Sequence, residues 1–154
     1  MPYVRKRLGD VFIDSSFQYG IAMGGAAFVT GLETLVGTIP IQSDANFLCV
    51  HTVYDPGVLD GDTDPRNTLL QGGVLVTITD GATQRDLSNI PIPVNCLFGS
   101  AQQPYMWPLT HLFRANTPIG IRITGTAVAM IGITVRLVFG GFKVPVGSVP
   151  DTNL

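Results

Sequence analysis

Charge is what this sequence of 154 residues has least of: only 13% of positions are Asp, Glu, Lys or Arg, against about 25% in an ordinary soluble domain. It holds one glutamate, Glu33, and two lysines, Lys6 and Lys143. With no heptad repeat either, a coiled coil is excluded. Intrinsic disorder needs high charge and low hydrophobicity, whereas 45% of the residues are apolar and the mean hydropathy is +0.35. A net charge of −2 and a pI near 5.5 argue against a nucleic-acid partner. No apolar run reaches the ~18–20 residues of a membrane span, so no membrane partner is expected. Arg5-Lys6-Arg7 leads into Leu8-Gly9-Asp10 rather than the apolar core of a secretion signal, and reads as a solvated tail.

Catalytic signatures are equally scarce. There is no nucleophile elbow, Walker loop or HExxH. Carboxylates lie almost all in turn sequences, with nothing to suggest the facing pair of a glycosidase. The expectation is a protein that is not an enzyme and carries no cofactor. Cys49 and Cys96 both sit in apolar, strand-like contexts. Such thiols behave as small buried hydrophobes, and nothing in their spacing demands a disulfide.

What is present points to β structure. Val, Ile and Thr occupy the positions that Ala, Leu, Glu and Lys would fill in a helical protein. Gly (18) and Pro (11) punctuate the chain. Residues 20–31 read GIAMGGAAFVTG, too short for a bilayer and too rich in glycine for a helix. Such a segment lies extended along something, its own sheet or a neighbouring subunit. Strands are expected over 34–41, 46–54 and 74–79, the last closed by the hairpin signal Asp80-Gly81. In 46–54, Phe47, Cys49, His51 and Val53 alternate with Leu48, Val50, Thr52 and Tyr54, so both faces are apolar enough to be buried. Residues 86–93 carry Pro91 and Pro93 and read as an edge or irregular strand. Residues 95–98 are short and apolar, and 99–110 form a proline- and aromatic-rich crossing. Residues 111–114 lead into the turn Ala115-Asn116-Thr117-Pro118. Ile119, Ile121 and Ile123 then alternate with polar or small residues, with Arg122 on the polar side. A segment over 126–131 follows. Ile133, Val135, Leu137 and Phe139 alternate with residues that include Arg136; Gly140-Gly141 breaks that strand, and 142–146 resumes it.

Seven to nine short strands with turns every ~8–12 residues predict an all-β fold. One-sided alternation favours antiparallel pairing. The expected architecture is a two-sheet sandwich of jelly-roll or similar Greek-key topology. Residues 1–45 are assigned to an N-terminal arm and first strand, 46–146 to the sandwich, and 147–154 to a polar tail.

Three constellations carry candidate chemistry. Asp60, Asp62 and Asp64 have the i, i+2, i+4 spacing that opens a calcium loop. The sixth position is Pro65 rather than Gly and the twelfth Gln71 rather than Glu, so a solvated, Asp-rich turn is the favoured reading. Cys49 and His51 on one strand face make a conceivable metal pair, but zinc needs three or four ligands, and His111 and Cys96 are remote in sequence. Tyr105, Trp107 and Phe113, with Arg114 beside them, form an aromatic cluster for a protein partner or, with Gln102 and Gln103, a sugar ring. Trp107 lies between Pro104 and Pro108 in an apolar stretch, which favours a plug at the end of the sandwich.

Residues 91–144 contain PIPVNCLFGSAQQPYMWPLTHLFRANTPIGIRITG and then ITVRLVFGGFKV. This text resembles small virion structural proteins of tailed phages, the capsid decoration or cement proteins: a Pro/aromatic segment, the phrase Arg114-Ala115-Asn116-Thr117-Pro118-Ile119-Gly120-Ile121, then a last strand ending in Gly-Phe. The resemblance implies a β-sandwich that decorates a capsid or sits elsewhere in the virion, with the major capsid protein or other virion proteins as partners and no catalytic residues. A homo-oligomer, dimer or trimer, is the matching expectation, since an apolar excess is most simply buried between subunits. Another virion position, or a carbohydrate- or receptor-binding module, is the alternative.

Overall fold

The computed structural model describes residues 6–8, 11–13, 15–55, 74–99, 103–126 and 128–145. The strands are β1 (Lys6–Leu8), β2 (Val11–Ile13), β3 (Ser15–Gly24), β4 (Thr34–Pro40), β5 (Ala45–Asp55), β6 (Val74–Asp80), β7 (Arg85–Asp86), β8 (Ile92–Pro93), β9 (Tyr105–Phe113), β10 (Pro118–Gly125) and β11 (Thr134–Pro145), with one helical turn, α1 (Val94–Leu97). β1 and β2 form a small antiparallel hairpin. The remaining strands make two antiparallel sheets. One has the order β3-β11-β5-β9; the other has β4-β10-β6-β7, with β8 also on β6. If β7 and β8 count as one interrupted strand, the eight strands wind as two Greek keys into a jelly roll, each connection but the β6 hairpin crossing to the other sheet.

Alternation explains the core. Ile119, Ile121 and Ile123 of β10 and Val135, Leu137 and Phe139 of β11 are buried. They face one another from the centres of the two sheets, joined by Phe47, Val76, Ile78, Phe98 and Phe113. Arg122 and Arg136 are exposed on the outer faces, as expected. Residues 20–24 belong to β3, an edge strand of the chain's own sheet, paired to β11 from Thr134↔Gly24 to Lys143↔Ser15.

Four expectations are corrected. Residues 94–97 form a helical turn rather than a strand, so Cys96 lies exposed on α1. The crossing expected over 99–110 ends earlier: 105–110 already belong to edge strand β9. Residues 128–130 form a 3-10 turn. Gly140-Gly141 does not interrupt β11, which runs through to Pro145. The glycines accommodate a β-bulge in β5, where Gly140 pairs with His51 and Gly141 with Cys49, skipping Val50. A side chain on Gly140 would collide with the His51 ring, and one on Gly141 with the Leu48 carbonyl. At Gly141 the two backbones approach too closely for any residue with a Cβ, whereas at Gly140 the His51 ring fills the space.

Candidate docking surface

The bulge reorganises one side of the sandwich. Before it, Phe47 and Cys49 point into the core; after it, Thr52 and Tyr54 do. His51 is thereby carried to the outer face, over Gly140. The pairing of Cys49 and His51 on one face is therefore corrected: one extra residue inverts the alternation. Among the described residues no three His, Cys, Asp or Glu side chains converge. Cys49 and Cys96 are both free. Burial pushes the Cys49 thiol far above its ordinary value, which suppresses the thiolate that reactivity would need.

β9 answers the bulge with a larger one. Cys49 pairs with His111, but His51 pairs with Met106. Residues 107–110 therefore stand opposite Val50 alone. Pro108 has no N–H to give to a ladder, so the excursion costs little pairing there. Trp107 turns inward. Its indole N–H donates to Thr52 Oγ1 at 3.1 Å, and that hydroxyl donates to the Leu97 carbonyl at 2.5 Å. Thr52, wholly buried, thus ties β5, β9 and α1 together with its hydrogen-bonding capacity used in both directions.

Met106 and Leu109 turn outward; Leu109 is 78% exposed. Leu109 also lines an apolar pocket of about 140 Å³, together with Ile78, Leu87, Leu97, Tyr105 and Trp107. Ile90, in the connection between β7 and β8, is also exposed. One polar pair stands behind the bulge: His111 Nε2 lies 2.8 Å from Asp80 Oδ2. Asp80 is buried, and its other carboxylate oxygen accepts the Ala82 N–H at 2.9 Å. This contact links β9 of one sheet to β6 of the other. The His111 ring packs edge-on against Phe113 at 4.5 Å between centroids.

The sequence-derived set is thus divided. Tyr105 and Trp107 are partly buried at the pocket. Arg114 is exposed in the turn after β9, where its carbonyl accepts the Thr117 hydroxyl at 2.6 Å. Phe113 is 0% exposed, packed against Phe47 and Phe139, and offers nothing to a partner. Asp60, Asp62 and Asp64 lie outside the described residues. Leu109, Met106 and the Asp80–His111 pair were missed. The legible signal for them was Pro108, a residue that strands hold only at an edge or a bulge.

A second apolar group lies at the end of the sandwich where β3 turns into β4 and β10 into β11. Val29, Leu32, Val128 and Ile131 are exposed there. The two turns are joined by the Gly132 N–H donating to the Phe28 carbonyl at 3.2 Å. Glu33 organises the first turn: its carboxylate accepts the backbone N–H groups of Thr30, Val29 and Gly31 and the Thr30 hydroxyl. Those bonds, the Thr30 N–H foremost, hold its pKa down from 4.5 to about 2. No family model, curated protein or solved structure matches the chain.

Proposed function

We propose that this chain is a structural protein of a virion, most specifically a jelly-roll subunit that decorates the capsid shell of a tailed phage and cements it by seating between shell subunits. It works by contact rather than by catalysis, and reaches the virion after synthesis in the host cytoplasm. A jelly roll alone assigns no role. The observation that carries the reading is the bulged side of β9, where Leu109 stands in solvent at the lip of an apolar pocket, on a chain with only 13% charged residues. Contiguous exposed apolar surface marks an interaction site, and burying one leucine side chain fully contributes about 1.5–3 kcal/mol. Repeated over the many sites of a lattice, modest contacts of this kind give firm attachment. The resemblance of residues 91–144 to decoration proteins supports the same reading.

The sugar-binding alternative gains less support. A platform for a sugar ring needs a bare aromatic face, whereas Trp107 is partly buried with its N–H engaged on Thr52. The test is co-sedimentation of the purified chain with assembled heads of the virus that encodes it. Saturable binding to heads is expected, with no assembly of particles by the chain alone. Failure to bind any head overturns the cementing role, and closed particles formed by the chain alone would make it the shell subunit instead.

A further inference from the structure

We infer that β3 is a self-association edge, on which a second copy of this chain adds its own β3 antiparallel across a two-fold axis, joining the two β3-β11-β5-β9 sheets into one of eight strands. The inference deepens the self-association part of the proposed function by naming its surface, and it stands on the edge itself rather than on the head-binding surface.

Each sheet of the sandwich has two edge strands; two of the four edges are blunted, and a third is shorter than β3 and ends on a proline. β9 throws out residues 107–110, with Pro108 among them. β7 and β8 are two residues each, and Pro93 lies in β8. β4 has seven residues and closes on Pro40. Short strands, prolines and bulges are how sheets avoid pairing edge to edge. β3 has none of these: ten residues, SSFQYGIAMG, with no proline and no charge. It pairs with β11 without a register shift, and among the described residues no strand lies on its other side. The hairpin that precedes it leans towards β11 instead, through β2.

Two features make a second copy the fitting occupant. The first is charge. In an isologous pair every side chain meets a symmetry copy of its own surface, so any net charge on the edge repels itself. An uncharged strand is free of that cost. The second is area. A ten-residue strand is roughly 33 Å long and the neighbouring edge of β4 lies about 10 Å behind it, so the side wall spans on the order of 300 Å² per copy, a small interface that main-chain pairing along β3 reinforces. The wall is partly apolar. Phe17, Ile21 and Leu35 are half-exposed and Val36 is exposed; Ile21 is seated across the sandwich against Gly37, where a Cβ would come within 2.8 Å of its Cδ1. Pairing would cover these side chains and give the free N–H and C=O groups of β3 their partners.

Sedimentation equilibrium of the full chain under reducing conditions tests this, because reductant removes any dimer made through the exposed Cys96 thiol. The parent is expected to be a dimer. The double variant Gln18→Lys, Ala22→Lys places charges on two exposed outer-face positions of β3 and is expected to weaken association at least tenfold, with the circular dichroism spectrum unchanged. Hydrogen exchange of the parent is expected to slow at amides within 16–24 as protein concentration rises. A monomeric or trimeric parent, a double variant that dimerises as tightly as the parent, or exchange of 16–24 indifferent to concentration each overturns the assignment. Head binding is scored separately: a β3 dimer that ignores heads sinks the virion reading alone, and a monomer that binds heads sinks this one alone.

Discussion

The sheet centred on β10 and the sheet centred on β11 are built from the same kind of residue and arranged differently. β10 pairs with β6 from Ile119↔Asp80 to Gly125↔Val74 without a shift, and with β4 equally evenly. In the other sheet the ladder shifts at Val50 against both neighbours. The regular sheet supplies most of the isoleucine and valine of the core. The shifted one supplies the irregular surface: the inward Trp107, the outward Leu109 and the pocket between them. A sheet that keeps its register sends every second residue inward; one that breaks register can present apolar residues outward without losing its core face, because the neighbouring residue takes the inward place.

That contrast breaks most sharply at glycine. Gly141→Ala in the shifted sheet drives a Cβ into the backbone of Leu48, where no side chain can rotate away. We expect a loss of about 3 kcal/mol or more, at or beyond the upper end for overpacking. Gly120→Ala in the regular sheet meets only the Thr79 side chain, at 3.1 Å. There the gain from a stiffer unfolded chain offsets the crowding, and the net change should stay within about 1 kcal/mol. Urea unfolding of the pair measures both, and equal losses would show that the bulge is not what demands glycine.

Trp107→Ala comes next. It removes a partly buried indole and leaves the Thr52 hydroxyl without one of its partners. The expected loss is about 2–4 kcal/mol. A loss under about 0.5 kcal/mol, the size of an ordinary surface substitution, would mean that Trp107 is a surface ring and would restore the sugar-platform alternative. Across the sandwich, the Asp80–His111 contact should show a coupling of about 1 kcal/mol in a double-mutant cycle of Asp80→Asn and His111→Gln, because the two side chains share one network.

How far the sequence disclosed the fold follows the same division. Ile119, Ile121 and Ile123 announced β10, and Val135, Leu137 and Phe139 announced β11, because unbroken register leaves period two intact in the text. Asp80-Gly81 announced the hairpin between β6 and β7, and Pro91 and Pro93 an irregular edge. At Val50 the period inverts, and no single residue there records it. Gly140-Gly141 looked like a break because glycine ends many strands; its role here, close approach of two backbones, depends on a partner ninety residues away in sequence. At the candidate docking surface, Tyr105 and Trp107 were legible as aromatics in a proline-rich stretch, and Phe113 was grouped with them although it is core. Inward and outward positions around residues 107–110 are set by the bulge, so adjacency in sequence was misleading.

The turn joining β3 to β4 lets acid act on the regular sheet. Glu33 holds its proton less readily folded, at about 2, than its ordinary 4.5. A depressed carboxyl stabilises the fold above its unfolded value and loses that contribution as pH falls from about 4.5 towards 2. Denaturation midpoints should therefore decline over that window in the parent and decline less in Glu33→Gln, which has no carboxylate to protonate. Parallel curves for the two proteins would mean that other carboxylates carry the acid sensitivity, Asp44 first among them, since the Lys143 hydrogen bond holds its pKa down as well.

The smallest effect on the fold should come with a large effect on binding, and it falls on Leu109. This side chain is 78% exposed at the tip of the β9 bulge, so Leu109→Glu removes little buried contact and should change stability by no more than about 0.5 kcal/mol. If the bulge is where the chain meets a shell, the same substitution puts a charge into a desolvated contact, and head binding should fall by at least tenfold, equivalent to about 1.4 kcal/mol. The dimer expected through β3 should survive it, because β3 and β9 are opposite edges of one sheet. Unchanged head binding in Leu109→Glu, with the fold intact, would move the docking surface from the irregular side to the exposed group of Val29, Leu32, Val128 and Ile131 at the end of the sandwich. The shifted register would then be a packing device alone, and the comparison between the two sheets would lose its functional half.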